Sequence, residues 1–356
     1  MYRLLTVNPG STSTKIGLYD EEMPVFVTTL RHDNTVLQQF KRIADQYAFR
    51  RDTVLEALQA ESIALETLHA VVGRGGILPP LESGTYVVNQ CMLDYLRDPS
   101  DREHASNLGA LIANEIAGQV GIPAFIVDPV SVDEFEPIAR VSGMPEIERR
   151  SLSHALNLKA AARRAAKDLN KAYHDANLVV VHMGGGISVA PHKRGRMIDV
   201  NQALDGTGPF SPERAGGLPI GDVMRMAFSG RYTYDQMFQH LIGNGGLVAH
   251  LGTNDARVVE ERIAAGDEHA HLIYNAMAYQ IAKEIGAMTT VLSGQFDAIV
   301  LTGGLAYSKM LIDEISARIG WIAPILVYPG EDELLAMAQG GLRVLQGEEQ
   351  ARDFAA

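Results

Sequence analysis

The sequence predicts an α/β fold built from two domains. Strand-like and helix-like segments alternate along the chain, and this alternation is typical of α/β architecture. A short apolar strand, a glycine-containing turn and a second strand occur at residues 4–19, and the same pattern returns at residues 177–190. Because the pattern opens each half of the chain, it indicates an internal structural duplication. The length of 356 residues also favours two domains.

The segments between the hairpins follow the periods of helices and buried strands. Apolar residues at helical spacing predict helices over residues 36–61, 104–120, 153–171 and 333–346. Apolar runs predict short strands over residues 70–72 and 124–127 and at the start of residues 298–309. No Pro-rich or low-complexity linker separates the two halves, so composition does not mark the domain boundary.

The turn of the first hairpin, NPGSTSTK, contains the groups that bind a polyphosphate. Gly10 permits close approach to the backbone, Ser11 and Ser13 supply hydroxyl donors, and Lys15 supplies a positive charge. The spacing fits neither the Walker loop nor the dinucleotide fingerprint, because each of those joins a strand to a helix. We therefore expect a phosphate-binding turn of a different architecture.

Two further glycine turns follow apolar strands. His182 ends the strand of the second hairpin, and the third turn leads into a helix. The glycines concerned are Gly184, Gly185 and Gly186 in the second hairpin, and Gly303 and Gly304 in the third turn. Any one of them alone is better explained as a tight turn. Three in this context favour loops that converge on one phosphate chain, since strand ends and helix N-termini present backbone N–H groups.

Arg74 and Asp128 each follow a predicted strand. Arg74 is flanked by glycines in VVGRGG, and bidentate binding of a carboxylate or phosphate is a common use of arginine. An exposed surface arginine is the alternative. Asp128 lies where ligand-facing residues of α/β sheets gather, although an aspartate before Pro129 also commonly begins a turn.

The long loop at residues 204–219 is rich in Gly and Pro and contains Glu213 and Arg214. A loop of this length without secondary structure is usually functional or disordered, and the charged pair favours function. Among the histidines, the pattern favours His182, whereas His104 and His154 lie near predicted helix starts and are typical surface or capping residues. No two of these histidines have a metal-ligand spacing, so a zinc site is not expected.

Composition excludes several classes of function. The net charge of −12 and the pI near 5.4 argue against a general nucleic-acid-binding protein, which needs a basic face. Cys91 is the single cysteine, so no intramolecular disulfide can form. The sequence contains no apolar run of membrane-spanning length and no targeting pattern. These features predict a soluble, cytoplasmic protein with neither nucleic acid nor membrane as a partner.

The motifs, taken in order, resemble those of the acetate and butyrate kinase family, the acetokinases. NPGSTSTK is similar to the family's opening phosphate loop, GRGG to its substrate-arginine segment, VDPV to its catalytic-aspartate strand end, and HMGGGISVA to its second phosphate hairpin. GTNDAR and LTGGLAYS resemble its nucleoside loops. DGTGPFSPERAG and PGEDELLAMAQGG resemble the butyrate-type branch. The resemblance extends from residue 4 to about residue 345.

The resemblance implies two ribonuclease-H-like domains of the actin-like ATPase fold, with the active site in an interdomain cleft. The N-terminal domain would comprise residues 1–148 and about 333–356, with the C-terminal helix packing back onto it. The nucleotide-binding domain would comprise residues 149–332. This fold agrees with the two hairpins, because each ribonuclease-H-like domain begins with one.

The resemblance also implies roles for individual residues. The catalytic residues would be Arg74, which binds the carboxylate, Asp128 at the reacting centre, His154 at the transition state, and Arg214 as a second arginine. The residues for ATP or ADP would be Ser11, Ser13, Lys15, His182, Gly184, Gly185, Gly186, Asp255, Arg257, Gly303 and Gly304. Asn8 and Glu333 would hold Mg²⁺ through water. The loop around Arg214 differs in length from the acetate kinase form, and Ser153 replaces a bulkier residue expected before His154.

The implied activity is reversible phosphoryl transfer from ATP to a short-chain fatty acid, with butyrate as the acid of the butyrate-type branch. Acetate, propionate and isobutyrate are the alternative acids. A different class of function on the same fold is a non-catalytic nucleotide switch of the actin or Hsp70 kind. The family forms dimers or larger assemblies, which implies a homo-oligomer.

Overall fold

A computed structural model describes residues 1–97, 104–204 and 206–355. The chain forms two compact units, Met1–Val132 with Asp332–Ala356, and Asp133–Glu331. The domain boundaries expected from the sequence lie after residues 148 and 332, and that domain assignment stays a prediction.

The regular elements are numbered in chain order. The strands are β1 (Arg3–Pro9), β2 (Ser13–Asp20), β3 (Met23–Arg31), β4 (Ala70–Arg74), β5 (Thr85–Val87), β6 (Ala124–Val127), β7 (Asn177–Met183), β8 (Ile187–Lys193), β9 (Arg196–Met197), β10 (Ala298–Gly303), β11 (Ile325–Pro329) and β12 (Arg352–Asp353). The α-helices are α1 (Asn34–Leu37), α2 (Tyr47–Ala60), α3 (Gln90–Arg97), α4 (Asn107–Val120), α5 (Pro137–Arg140), α6 (Ala155–Asp168), α7 (Ile220–Ala227), α8 (Tyr234–Leu241), α9 (Gly246–Leu251), α10 (Ala256–Ala264), α11 (Glu268–Val291), α12 (Lys309–Ile319) and α13 (Glu333–Leu345).

The first unit is built on a mixed sheet with the strand order β12-β5-β6-β4-β1-β2-β3. Strands β1, β2 and β3 are antiparallel, whereas β4 and β6 run parallel to β1. Every residue of β4 and β6 is buried, as is typical of parallel strands that are covered on both faces. The carboxyl ends of β1, β4 and β6 therefore meet at one edge of the sheet.

Helices cover both faces of this sheet. Leu5 and Val7 of β1 point toward a core that includes residues of α2 and α4. Their neighbour Leu4 points to the opposite face, because side chains alternate along a strand. There Leu4 and Val72 lie against Gly341 of α13. The absence of a side chain at Gly341 allows this C-terminal helix to lie close to the sheet.

A pair of glycines brings α4 against β4. A Cβ atom at Gly73 would overlap the backbone of Gly109, and a Cβ atom at Gly109 would overlap the backbone of Arg74. Only glycine at both positions permits this approach. The contact fixes the backbone of Arg74 at the end of its strand.

The second unit contains a sheet with the strand order β11-β10-β7-β8-β9. Strands β7, β8 and β9 are antiparallel, and β10 and β11 run parallel to β7. Val179, Val181 and Met183 share a core with buried residues of α11, whereas His182 points to the other face and contacts α6. Each unit thus repeats one topology, a three-stranded antiparallel meander followed by parallel strands. The predicted α/β class is confirmed.

One predicted helix is wrong in its extent. In place of one continuous helix over residues 36–61, the chain forms the short helix α1, a 3₁₀ turn at Ile43–Gln46 and then α2. Phe40 packs on Phe49 with ring centroids 5.9 Å apart. A continuous helix would separate these residues by about 13 Å, so the aromatic contact requires the break. Over the described residues, no helix is long and apolar enough to cross a membrane.

Candidate active site

Asn8, Arg74 and Glu333 form a polar cluster at the carboxyl edge of the first sheet. Asn8 lies near the end of β1 and donates a hydrogen bond of 2.6 Å from Nδ2 to Glu333 Oε2. Arg74, at the end of β4, is 8% exposed, and its Nη1 lies 3.1 Å from Glu333 Oε1. Glu333 is the first residue of α13. The packing of α13 on the sheet therefore brings together residues from opposite ends of the chain.

Asp128 lies beside Arg74 at the same edge. In the register of β4 and β6, Arg74 pairs with Val127, the residue before Asp128. Asp128 is buried and has a positive φ of 38°, which is unfavourable for a residue other than glycine. Its Oδ1 accepts hydrogen bonds from Ser83 Oγ at 2.6 Å and from the Gly84 amide at 2.8 Å. These bonds fix the position of the carboxylate. The positive φ of Asp128 is a strained backbone conformation of the kind found at functional sites.

The opening turn, residues 9–13, follows β1 at this edge. The Gly10 amide donates to the Ser13 carbonyl at 2.7 Å, which closes the turn. Ser11 is exposed and Ser13 is half-buried. Lys15 is exposed and pairs with Asn8 in the β1–β2 register, so the two side chains leave the same face of the sheet.

His104, which the sequence analysis discounts, is close to this cluster. Partial burial lowers the pKa of His104, and the positive charge of Arg74 lowers it further. Its Nδ1 lies 2.7 Å from Ser106 Oγ. A histidine near a helix start carries no functional signal by itself. His104 becomes a candidate site residue only because it lies near Arg74.

In the second unit, His154 and His182 stack face to face. Their ring centroids are 3.9 Å apart and the rings are 15° from parallel. His154 precedes the first residue of α6, and its Nδ1 lies 2.9 Å from Ser188 Oγ. His182 Nδ1 lies 2.8 Å from Asn157 Oδ1. Since an amide oxygen only accepts, His182 carries a proton on Nδ1 and directs Nε2 toward the glycine turn.

Gly186 joins this pair to Arg214. A Cβ atom at Gly186 would overlap Arg214 Nη1 and would lie 3.1 Å from the Cε1 atom of His154. The glycine therefore permits a close approach of the guanidinium, the imidazole and the backbone. His154, His182, Gly186 and Arg214 accordingly form one cluster in this unit.

The loop before α7 fixes Arg214. Its Nη1 donates to the Ala203 carbonyl, and its amide donates to Ser211 Oγ at 3.2 Å. Ser211 in turn donates to the Gly185 carbonyl at 2.6 Å, so the loop is bonded to the glycine turn. Burial lowers the pKa of Arg214, and the adjacent Glu213 opposes this shift. Asp205 of this loop lies outside the described residues.

Asp255 and Arg257 bind each other at the start of α10. Asp255 Oδ1 accepts from the Arg257 amide at 2.9 Å, and Asp255 Oδ2 lies 2.6 Å from Arg257 Nη2. The bonds from Arg257 lower the pKa of Asp255 to about 2. The Arg257 side chain is 87% exposed. Among the described residues, no hydrogen bond of this pair reaches the histidine cluster.

Gly303 lies at the end of β10, next to the end of β7. Its φ is 92°, and a Cβ atom there would overlap the Met183 backbone, so glycine is required. At Gly304 a Cβ atom would meet open space. The third glycine turn therefore lies at the same sheet edge as His182, which pairs with Thr302.

Sequence reasoning missed the residues that orient the cluster. Asn157 holds His182, and Ser188 holds His154. The one available signal is the spacing of His154 and Asn157, which places both on one face of α6. Ser188 lies in an apolar strand and gave no signal. Ser153 is buried and its Oγ lies 3.8 Å from Met197 Sδ.

The fold has counterparts among solved structures. The chain aligns with acetate kinase from Porphyromonas gingivalis at a TM-score of 0.78 and 17% identity, over 97% of this chain and 100% of that chain. It aligns with a propionate kinase from Francisella tularensis subsp. tularensis SCHU S4 at a TM-score of 0.75 and 18% identity, over 96% and 99%. For acetate kinase from Entamoeba histolytica the values are 0.75 and 15%, over 95% and 98%. This likeness confirms the actin-like ATPase fold.

The fold and a matched sequence segment indicate one class of enzyme, the ATP-dependent carboxylate kinases. The segment, residues 147–319, matches the model of the acetokinase family and lies inside the second unit. It contains the histidine cluster and Arg214. Asn8, Arg74, Asp128 and Glu333 lie outside it.

Proposed function

We propose that the protein is a butyrate kinase, which transfers the γ-phosphoryl group of ATP reversibly to the carboxylate of butyrate and gives butyryl phosphate and ADP. Carboxylate kinase activity is common to the matched family. The choice of butyrate is supported by the resemblance of DGTGPFSPERAG and PGEDELLAMAQGG to the butyrate-type branch. Acetate, propionate and isobutyrate are the alternative acids, and the acetate and propionate kinases of the same fold favour the first two.

The observation that carries the proposal is the buried guanidinium of Arg74. Its Nη1 makes no hydrogen bond of good geometry within the described part of the chain and has Glu333 as its ion partner at 3.1 Å. A guanidinium at the end of a strand, with donors left over, suits bidentate binding of a carboxylate. We assign Arg74 to the acid, with Asp128 beside it at the reacting centre.

The reaction needs no general base. A fatty acid is ionised at neutral pH, so one of its oxygens attacks the γ-phosphorus directly. The bond between that oxygen and phosphorus forms as the bond from phosphorus to the β,γ-bridging oxygen breaks, and the electron pair leaves on ADP. The main barrier is the approach of two anions, and phosphoryl transfer is catalysed mostly by positioning and charge neutralisation.

Positive and hydrogen-bonding groups would reduce this barrier. Arg214 and His154 are assigned to the transferring phosphoryl group, since both side chains lie against Gly186. Ser188 Oγ lies 2.9 Å from Nδ1 of His154 and orients the ring. Removing one such donor from a phosphoryl-transfer site is expected to cost about 10²-fold in rate.

The nucleotide is the second substrate of the proposed reaction. We assign its phosphates and nucleoside to Ser11, Ser13, Lys15, His182, Gly184, Gly185, Gly186, Asp255, Arg257, Gly303 and Gly304. For the residues of the three glycine turns, support comes from their placement at sheet edges, where backbone N–H groups and small residues admit phosphate. Asp255 and Arg257 lie at the start of α10 and are assigned from the family resemblance. Because Asp255 and Arg257 bind each other, the nucleoside would meet an ion pair rather than two independent groups.

Asn8 and Glu333 fit a magnesium ion. Mg²⁺ is commonly held by one or two carboxylates, with water and substrate phosphates completing its ligands. One carboxylate, held by Asn8 and by Arg74, is such a donor set. When bound, the ion would neutralise phosphate charge. Assembly of the chain into a homo-oligomer is a further expectation of the family resemblance, and the mass in solution tests it.

The test is formation of acyl phosphate, trapped as the hydroxamate, from ATP and butyrate. We expect Arg74→Ala and His154→Ala each to lower kcat/KM by about 10²-fold. Arg225→Ala, which removes an exposed arginine paired with Asp222, is the control and keeps the parent rate. Full activity in both site variants would contradict the assignment. ATP binding without acyl phosphate in the parent protein would favour the nucleotide switch.

A further inference from the structure

Arg50 of α2 is among the most buried side chains of the protein. It is 1% exposed, although arginine is rarely buried without an anionic partner. Within the described residues, no carboxylate lies at ion-pair distance from its guanidinium. Burial lowers the pKa of Arg50 to about 10, so the side chain still carries its charge at neutral pH. The first unit thus contains a buried positive charge that is not balanced locally.

Most partners of Arg50 are carbonyl oxygens of the opening turn, and Nη1 also donates to Thr14 Oγ1 at 3.4 Å. Nη1 donates to the Gly10 carbonyl at 2.6 Å and to the Ser13 carbonyl at 3.1 Å, and Nη2 donates to the Ser11 carbonyl at 2.9 Å. Gln46 Oε1 accepts from Nη2 at 2.8 Å and from Nε at 3.1 Å. One guanidinium therefore donates hydrogen bonds to three carbonyl oxygens of a five-residue turn.

This arrangement determines where the amides of the turn point. In a trans peptide the C=O and N–H bonds point in opposite directions. Because the Gly10 and Ser11 carbonyls point to Arg50, the amides of Ser11 and Thr12 point away from it. Neither amide donates a hydrogen bond within the described part of the chain. Successive outward amides of this kind form a concave site for an anion.

We propose that Arg50 is a positioning residue for phosphate binding: it holds the carbonyls of the opening turn inward, directs the Ser11 and Thr12 amides toward a phosphate oxygen, and favours that anion by its unbalanced charge. The inference rests on the proposed function, in which this turn meets the phosphates of ATP. Arg50 does not contact the substrate in this account and acts through the turn.

The alternative is that Arg50 only stabilises the fold, and Gln46→Glu separates the two roles. The variant keeps an oxygen acceptor at the position that bonds Nε and Nη2. It adds a carboxylate beside a buried arginine, so the fold keeps or gains stability, but it cancels the positive charge behind the turn. A purely structural role predicts unchanged ATP binding, whereas the proposed role predicts weaker binding.

The experiment measures Kd for ATP with Mg²⁺ by calorimetry, KM for ATP and for butyrate by the hydroxamate assay, and unfolding by denaturant. We expect Gln46→Glu to raise Kd and KM for ATP about tenfold, with KM for butyrate and the unfolding midpoint near those of the parent. Arg50→Met should show a larger loss of ATP affinity. Arg51→Met, which removes the next arginine of α2 and its surface ion pairs, should match the parent.

ATP affinity in Gln46→Glu equal to that of the parent would overturn the inference, whether or not Arg50→Met folds. Absence of acyl phosphate from the parent would instead contradict the proposed function. Because calorimetry needs no turnover, the two failures are distinguishable.

Discussion

His32 is a buried neutral histidine next to the opening turn, and it should make stability depend on pH. Its Nε2 lies 2.8 Å from Thr14 Oγ1. Burial lowers the pKa of His32 from 6.5 to about 4, and the positive charge of Arg50 adds to the shift. Between these pH values the unfolded chain binds a proton that the folded protein does not. The free energy of unfolding therefore falls as pH decreases from 6.5 toward 4.

This linkage is worth roughly 2 kcal/mol after allowance for screening by solvent. We predict that His32→Gln loses part of the decrease between pH 7 and pH 4.5, as measured by denaturant unfolding at both values. His269→Gln changes an exposed histidine and should retain the full decrease. His192, whose pKa burial also lowers, contributes equally in both variants. Equal slopes in the parent and His32→Gln would refute this account of His32.

At the scale of single residues, the sequence predicted the chemical role of a side chain better than its burial and its neighbours. The residue type of Arg74 suggested anion binding and the position of Asp128 suggested a ligand-facing side chain, and the structure brings these residues to one sheet edge. Nothing in the sequence indicated that Arg50 would be buried among carbonyls, because its helix has no marked apolar face around it. Burial of a charged side chain depends on tertiary packing, which local patterns do not encode.

The scale of the element explains how Arg74 is held. Helix α4 contacts β4 through Gly109, where a side chain would overlap the Arg74 backbone. We predict that Gly109→Ala destabilises the protein by about 1–3 kcal/mol and raises KM for the acid, because α4 and the end of β4 must separate. Denaturant unfolding and the hydroxamate assay measure the two effects.

Gly118 of the same helix is the matched control. A Cβ atom there would meet open space, so Gly118→Ala should stabilise the helix by up to about 1 kcal/mol and leave KM unchanged. A similar response of the two variants would show that the close approach of α4 and β4 does not position Arg74.

The two hairpins were predictable elements, since apolar strands on either side of a glycine turn specify a local structure. The break between α1 and α2 was not, because helical periodicity continues through it. The contact of Phe40 with Phe49 is incompatible with a continuous helix. It joins two separate segments of the chain, so helical periodicity within one segment does not predict it.

At the scale of the whole molecule, the fold followed from repeated patterns, but the site did not. Asn8 and Glu333 are 325 residues apart in sequence and meet because α13 returns to the first sheet. No spacing rule relates residues so distant, and only the family resemblance proposed them together. Each unit contributes its own cluster, one around Arg74 and one around the stacked histidines.

The central claim is carboxylate kinase activity with a preference for butyrate, and rates of acyl phosphate formation across acids of two to five carbons test it most directly. With ATP and Mg²⁺ at saturation, we predict the highest kcat/KM for butyrate, with isobutyrate included as the branched acid. Removal of Mg²⁺ by a chelator should abolish the reaction until the ion is restored. Turnover of acetate equal to or faster than that of butyrate would contradict the assignment of the acid. Absence of acyl phosphate with every acid would contradict the assignment of the reaction.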